Sequence, residues 1–110
     1  MMDLLDLEFA PQYSPFIDRG IKTTTFRLKF SGKVGDVFRV GSYLYRVCSL
    51  QPISVKDACD NHFRTDGFRS SGEMRSALDG YYELNIGELW TGVLISFERV
   101  GIVWGADGFV

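Results

Sequence analysis

Gly20-Ile21-Lys22-Thr23-Thr24-Thr25-Phe26-Arg27 sets a flexible glycine, an ammonium, three hydroxyls and a guanidinium within eight residues. Three consecutive β-branched threonines resist helix and favour extended chain, with Gly20 as the break before them. In a strand, Thr25 and Arg27 share a face and Lys22 is out of phase with them. Lys22 joins that pair only if the chain turns at residues 22–24. The result would be a cation from a loop, with a hydroxyl and a second cation from a strand, all facing one cleft. Such a cluster suits a phosphate, a carbonyl oxygen or the polar edge of a nucleobase. Spacing alone favours the plainer reading, an edge strand guarded against aggregation by its charges.

The flanking elements decide whether those groups can converge. Leu4 to Phe9 alternates Leu5 and Leu7 with Asp6 and Glu8 and reads as a first strand. Pro11 opens a short helix with Phe16 and Ile17 as its apolar face, and Gly20 stands where its C-cap belongs. Ser31 to Asp36 is dense in turn residues. Val37–Val40 and Tyr43–Ser49 read as a hairpin turning at Gly41-Ser42. Ser54 then caps a helix over about 54–66, with Asp57 in its first turn and Gly67 as its stop. Ser70 and Glu73 fit a capping box for a second helix over about 71–83, whose Met74, Ala77, Leu78, Tyr81 and Tyr82 recur at helical spacing. Trp90 to Val100 is the strongest late strand, with both faces partly apolar, as in a barrel covered outside by helices. The tail after Gly101 could add a short strand.

At 110 residues, with 45% hydrophobic and 24% charged residues, the chain reads as a single domain, 1–110, of ordinary globular composition. No apolar run approaches the ~20 residues of a membrane helix, and the acidic N-terminus is unlike a signal peptide. Cys48, Cys59 and the lone His62 lack metal-ligand spacing, so no metal or other cofactor is expected. Free, buried thiols in a reducing cytoplasm are the simplest account of the cysteines. The net charge of -2 is unevenly distributed. Arg19 to Arg46 holds seven basic residues (Arg19, Lys22, Arg27, Lys29, Lys33, Arg39, Arg46) and one acid, Asp36, or +6 against -8 elsewhere. Such a segment would attract a polyanion if its charges share a face, although strands distribute side chains over two.

Gly20-x-Lys22-x-x-x-x-Arg27 resembles the signature of ASCH domains, which belong to the PUA-like superfamily. The resemblance continues through the helix before the motif, Val34-Gly35-Asp36 ahead of a strand, the Ala58-containing helix, Gly67-Phe68, the second helix and the strand ending at Glu98. It spans about Phe9 to Arg99. It implies an α+β fold, a small and mostly antiparallel PUA-like β-barrel with flanking helices, with the signature lysine in a cleft between them. The family is associated with RNA binding, and some small bacterial members are amidohydrolases that convert N4-acetylcytidine to cytidine and acetate with a lysine, a threonine and a glutamate.

By that resemblance Lys22, Thr25 and Glu73 would be the catalytic set; Arg27 and Gly20 of the motif, with Lys29 and Arg39 of the basic segment, are expected to contact the ligand. Ile21, Phe26 and the Ser70–Gly72 run depart from the family pattern. The chemistry is self-consistent, since a desolvated lysine can lose its proton and activate a hydroxyl, and a guanidinium can hold an oxyanion. Equally, Lys22 could bind a phosphate, Thr25 could be strand filler and Glu73 could complete its capping box. Three readings follow: an amidohydrolase for an acylated nucleoside, a non-catalytic RNA-binding module using the basic 19–46 segment, and an interaction or sensor domain with an unrelated ligand. RNA or a modified nucleoside is the expected partner, without membrane or metal.

Overall fold

Residues 3–83 and 86–103 are described by the structure, a computed structural model. Its centre is the hairpin of β2 (Val37–Val40) and β3 (Tyr43–Ser54), joined at Gly41-Ser42 with Gly41 at φ 60°. That left-handed turn is why a glycine stands there. β3 runs past Ser49 to Ser54 and pairs along its whole length with β4 (Thr91–Ile102). β1 (Thr24–Arg27) takes the free edge of β4 at residues 93–96, so the order is β1-β4-β3-β2 with every pair antiparallel.

Two register shifts between β3 and β4, at Leu44/Tyr45 and Val47/Ser49, bend the long strands and curl the sheet into a half-barrel. Pro52 costs no ladder bond on its outer side, because β2 pairs only with residues 43–46. The fold is therefore α+β, a curled antiparallel sheet with flanking helices. The expected first strand does not form. Leu4–Phe9 runs alongside the sheet, with Leu5 N–H donating to Val37 O at 2.7 Å and Leu7 buried. The Leu5/Leu7 alternation served packing, which needs no ladder.

The sheet separates two cores. Phe26 and Leu94 turn toward Val55, Ala58, Cys59, Met74 and Leu78 of the helices. Ile95 and Phe97 face the other way, toward Leu7, Ile17, Phe38, Tyr45 and Val47. This period-two division of β4 explains why both its faces read as apolar. α1 (Ser14–Asp18) follows a 3-10 turn at Pro11–Tyr13, and the chain leaves it through Gly20 at φ 75°. α2 spans Val55–His62, capped by Ser54, whose side chain accepts from Asp57 N. α3 spans Ser71–Tyr82, capped in the same way by Ser70, which accepts from Glu73 N. Gly101 and Ile102 complete β4, and the rest of the tail from Trp104 lies outside the described residues. Among the described residues, no helix is long and apolar enough to cross a membrane.

The end of α2 matters most for the site. Regular helix stops at His62, but the chain continues through a closing turn in which Phe68 N donates to Phe63 O and Gly67 N to Arg64 O. Gly67 has φ 96°, the left-handed residue that this paired closure requires. The closure leaves the carbonyls of Thr65 and Asp66 facing outward. Thr23 N and Thr24 N both donate to Thr65 O, at 2.7 and 3.1 Å, and tie the entry of β1 to the end of α2.

Candidate functional site: a lysine cleft at the sheet edge

Lys22 precedes β1 and is only 4% exposed. Its ammonium donates to the backbone oxygen of Asp66 at 2.7 Å and to Asp66 Oδ1 at 3.1 Å. It thereby caps one outward carbonyl and pairs with the carboxylate of the same residue. Thr24 adds a hydroxyl donor to Asp66 Oδ1 at 3.2 Å. Asp66 is 3% exposed, so the whole arrangement is buried. Burial pushes the Lys22 ammonium below its ordinary pKa, against the opposing pull of Asp66 and with help from nearby Arg27. Burial likewise raises the Asp66 carboxyl, against Lys22, Thr24 and Arg27. Both groups are displaced toward their uncharged forms because both have left water.

Thr25 and Arg27 share a face of β1, and Arg27 Nε donates to Thr25 Oγ1 at 3.2 Å. Arg27 Nη1 donates to the Tyr81 hydroxyl at 3.3 Å and Nη2 to Glu8 O at 2.6 Å, so the guanidinium bridges β1, α3 and the N-terminal segment. Between them opens a cleft at the junction of the two cores, where Lys22, Thr25, Arg27 and Asp66 meet the rings of Phe9, Tyr13, Phe68 and Tyr81. Three of those rings surround the ammonium, with Lys22 Nζ 5.9, 5.4 and 5.8 Å from the centroids of Phe9, Tyr13 and Phe68. Arg27 lies 5.1 and 5.5 Å from Phe9 and Tyr81. Aromatic faces stabilise both cations. The cavity measures about 60 Å³, room for roughly four to six waters.

Lys22, Arg27 and Thr25 have donor protons to spare in the cleft, beside the Asp66 carboxylate. An ammonium has three N–H groups and a guanidinium five. Lys22 uses two on Asp66, and Arg27 directs three to Thr25, Tyr81 and Glu8. Thr25 Oγ1 accepts from Arg27, and its own proton has no acceptor among the described residues. The cleft thus offers donors, framed by aromatic walls.

The other expected site residues lie elsewhere. Glu73 does not line this cleft. Its carboxylate accepts from Arg69 N at 3.1 Å and lies 3.9 Å from the Arg69 guanidinium, closing the first turn of α3 from outside. It lines a separate groove with Phe16, Ile21, Arg64 and Arg69, and Tyr13 and Phe68 form the wall that groove shares with the cleft. Both carboxylates act on Tyr13, whose hydroxyl pKa is raised by burial first, then by Asp66 and Glu73. Convergence of Lys22, Thr25 and Glu73 on one pocket is therefore corrected to Lys22, Thr25, Arg27 and Asp66. The reason is that the capping geometry holds Glu73 at the helix start.

Gly20 lines a different surface depression with Arg19 and Arg99. Lys29 is exposed beyond β1, and Arg39 Nε donates to Gly41 O at 2.8 Å in the hairpin. Within the basic segment, Lys22 is paired inside with Asp66, and Arg46 pairs with Glu98. Cys48 is exposed, not buried, because it falls at the second register shift of β3. Cys59 is buried, with its thiol raised to about 11 by burial.

Asp66 escaped the sequence reading, which used its neighbour Gly67 as a helix stop and Gly67-Phe68 as part of the resemblance. The available signal was electrostatic. A lysine drawn into an apolar fold demands a carboxylate, and a residue fixed by a glycine-closed turn can supply one.

Against known proteins, no family model matches the chain and no curated protein matches it. Solved structures do. An ASCH domain from Lactobacillus crispatus JV V101 superposes with a TM-score of 0.71 at 15% identity, covering 87% of this chain and 78% of that one. A DUF984 protein from Enterococcus faecalis V583 superposes with a TM-score of 0.62 at 16% identity, covering 83% of this chain and 68% of that one. The chain has the ASCH-domain fold.

Proposed function

We propose that this ASCH-type domain takes a single nucleobase, in RNA or as a modified nucleoside, into the Lys22 cleft. The observation that carries the reading is the pairing of aromatic walls with the spare N–H and O–H groups of Lys22, Arg27 and Thr25. Rings accept the face of a planar base, and Lys22, Thr25 and Arg27 meet the acceptor atoms on its edge. A pyrimidine carrying an acyl group on its exocyclic amine offers three such acceptors, the ring carbonyl, the ring nitrogen and the acyl oxygen.

The same groups suit hydrolysis of that amide, as the family resemblance implies. Thr25 Oγ1 would attack the acyl carbon while a neutral Lys22 takes its proton. Arg27 would stabilise the oxyanion, and the C–N bond would break as Lys22 returns the proton to the leaving amine. Water would then release the acyl group from Thr25 as a carboxylic acid. Burial of Lys22 supports this step, because it weakens the ammonium that would otherwise be inert as a base.

Incubation with N4-acetylcytidine is expected to release cytidine and acetate, detected by mass. Binding of cytidine without turnover would reduce the reading to recognition alone. Binding of neither nucleoside, with RNA binding that weakens steeply with salt and on replacing Lys29, Lys33 or Arg39 by Ala, would favour the non-catalytic module on the basic segment instead.

A further inference from the structure

We infer that the groove beyond the Tyr13–Phe68 wall seats the nucleotide next to the base held in the cleft, so that the domain reads a base within single-stranded RNA. The inference rests on the reading of the Lys22 cleft as a base site. It chooses between the two forms of ligand, polynucleotide over free nucleoside.

Size is the first reason. The cleft measures about 60 Å³ and the groove about 600 Å³. A space of a few waters takes a base, and the ribose and phosphates attached to it must stay outside. The chain then leaves over one of two lips. One is the Tyr13–Phe68 wall, a single pair of rings packed edge to face with centroids 6.0 Å apart. Both rings line the cleft on one side and the groove on the other. A wall that thin is within the reach of one nucleotide step.

Chemistry is the second reason. Phe16 and Ile21 line the groove while 40% and 49% exposed. An aromatic and an aliphatic side chain left in water there offer a stacking surface to any base. Arg64 and Arg69 line the same groove. Arg64 is exposed, 5.4 Å from the Phe63 ring, and forms no ion pair among the described residues. The Arg69 side chain is 93% exposed, and Glu73 lies 3.9 Å from it. So loose a surface pair is exchanged for a phosphate at little cost. Two guanidinium groups against one carboxylate leave the groove positive, as a phosphodiester requires.

The other lip, past Phe9, fits less well. Its depression holds Arg39 with Glu8, and Arg39 already donates to Gly41 O at 2.8 Å. Its aliphatic residues, Leu7 and Val40, are buried, and Phe9 already serves the cleft. Arg64 and Arg69 also lie outside the basic 19–46 segment, so their loss is separable from that of Lys29, Lys33 or Arg39.

The test compares, by calorimetry over a range of salt, N4-acetylcytidine with a single-stranded RNA pentanucleotide that carries it at the centre. The whole protein is expected to bind the RNA roughly tenfold or more tightly than the nucleoside. Replacing Arg64 and Arg69 together by Ala should weaken RNA binding by about tenfold and lower its slope on log salt by about 1.4. Nucleoside affinity should not change in that variant. Phe16→Ala should weaken RNA binding and leave the slope alone. Glu73→Gln keeps the helix cap and frees Arg69, so RNA should bind about two- to fivefold more tightly.

RNA bound no better than the nucleoside would overturn the inference and leave the cleft reading standing, as would a double variant with wild-type RNA affinity and slope. A loss confined to Arg39→Ala would route the strand past Phe9 and overturn it too. So would an acidic peptide of equal charge that displaces the RNA as well as unlabelled RNA does. RNA binding that depends on Arg64 and Arg69 in a protein indifferent to the nucleoside would uphold the groove and sink the base site.

Discussion

Replacing Lys22 with Met is expected to destabilise the fold by about 3–5 kcal/mol at neutral pH, the usual cost of leaving one member of a buried ion pair behind. The stranded group is Asp66, 3% exposed and with Thr24 as its remaining side-chain donor. The loss depends on pH in a defined direction. Without the ammonium, burial holds the Asp66 carboxyl further above its ordinary 3.8. The folded protein then binds a proton that the unfolded chain has released. Stability is accordingly greatest below the unfolded value near 3.8 and falls as pH rises through the raised folded value. Urea midpoints for Lys22→Met should decline from pH 4 to pH 7 more steeply than those of the wild type. Adding Asp66→Leu should recover most of the loss and remove that slope, since an apolar pair of similar volume avoids the desolvation cost. A Lys22→Met protein as stable as wild type at pH 7 would show that the ammonium and carboxylate are not paired.

Gly67→Ala is the second large effect. At φ 96° a side chain is strained whatever the space around it, at a cost of roughly 1–2 kcal/mol. Space is also short, because the added Cβ would lie 3.3 Å from Lys22 Cβ. The damage therefore reaches the cleft, because the Lys22 side chain that lines it must give way to the new methyl group. Calorimetry and nucleoside binding measured together should show a modest loss of stability with a disproportionate loss of ligand affinity. Unchanged affinity in the folded variant would mean that Lys22 does not contact the ligand.

Gly67 also shows where sequence reasoning stopped. Its role as a helix stop was legible, as were the Gly41-Ser42 hairpin and the Ser54 and Ser70 caps, because each depends on residues a few positions apart. The shared face of Thr25 and Arg27 was legible for the same reason. The partnership of Lys22 with Asp66 spans 44 residues and exists only because β1 docks against the end of α2. No local pattern encodes that docking. Leu4–Phe9 misled in the opposite way, since alternating leucines report a buried side and cannot say whether a neighbouring strand offers its backbone. The exposure of Cys48 follows from a register shift between two long strands, which is a property of their pairing and not of either strand alone.

The central claim, that a single base enters between β1 and α3, is tested most directly by mapping backbone amide and side-chain NMR shifts while cytidine or N4-acetylcytidine is added. Perturbations are predicted to concentrate on Phe9, Lys22, Thr25, Arg27 and Tyr81 and to vanish in an Arg27→Ala protein that remains folded. Perturbations confined to Lys29, Lys33 and Arg39, with Lys22 and Thr25 unmoved at saturation, would contradict the account.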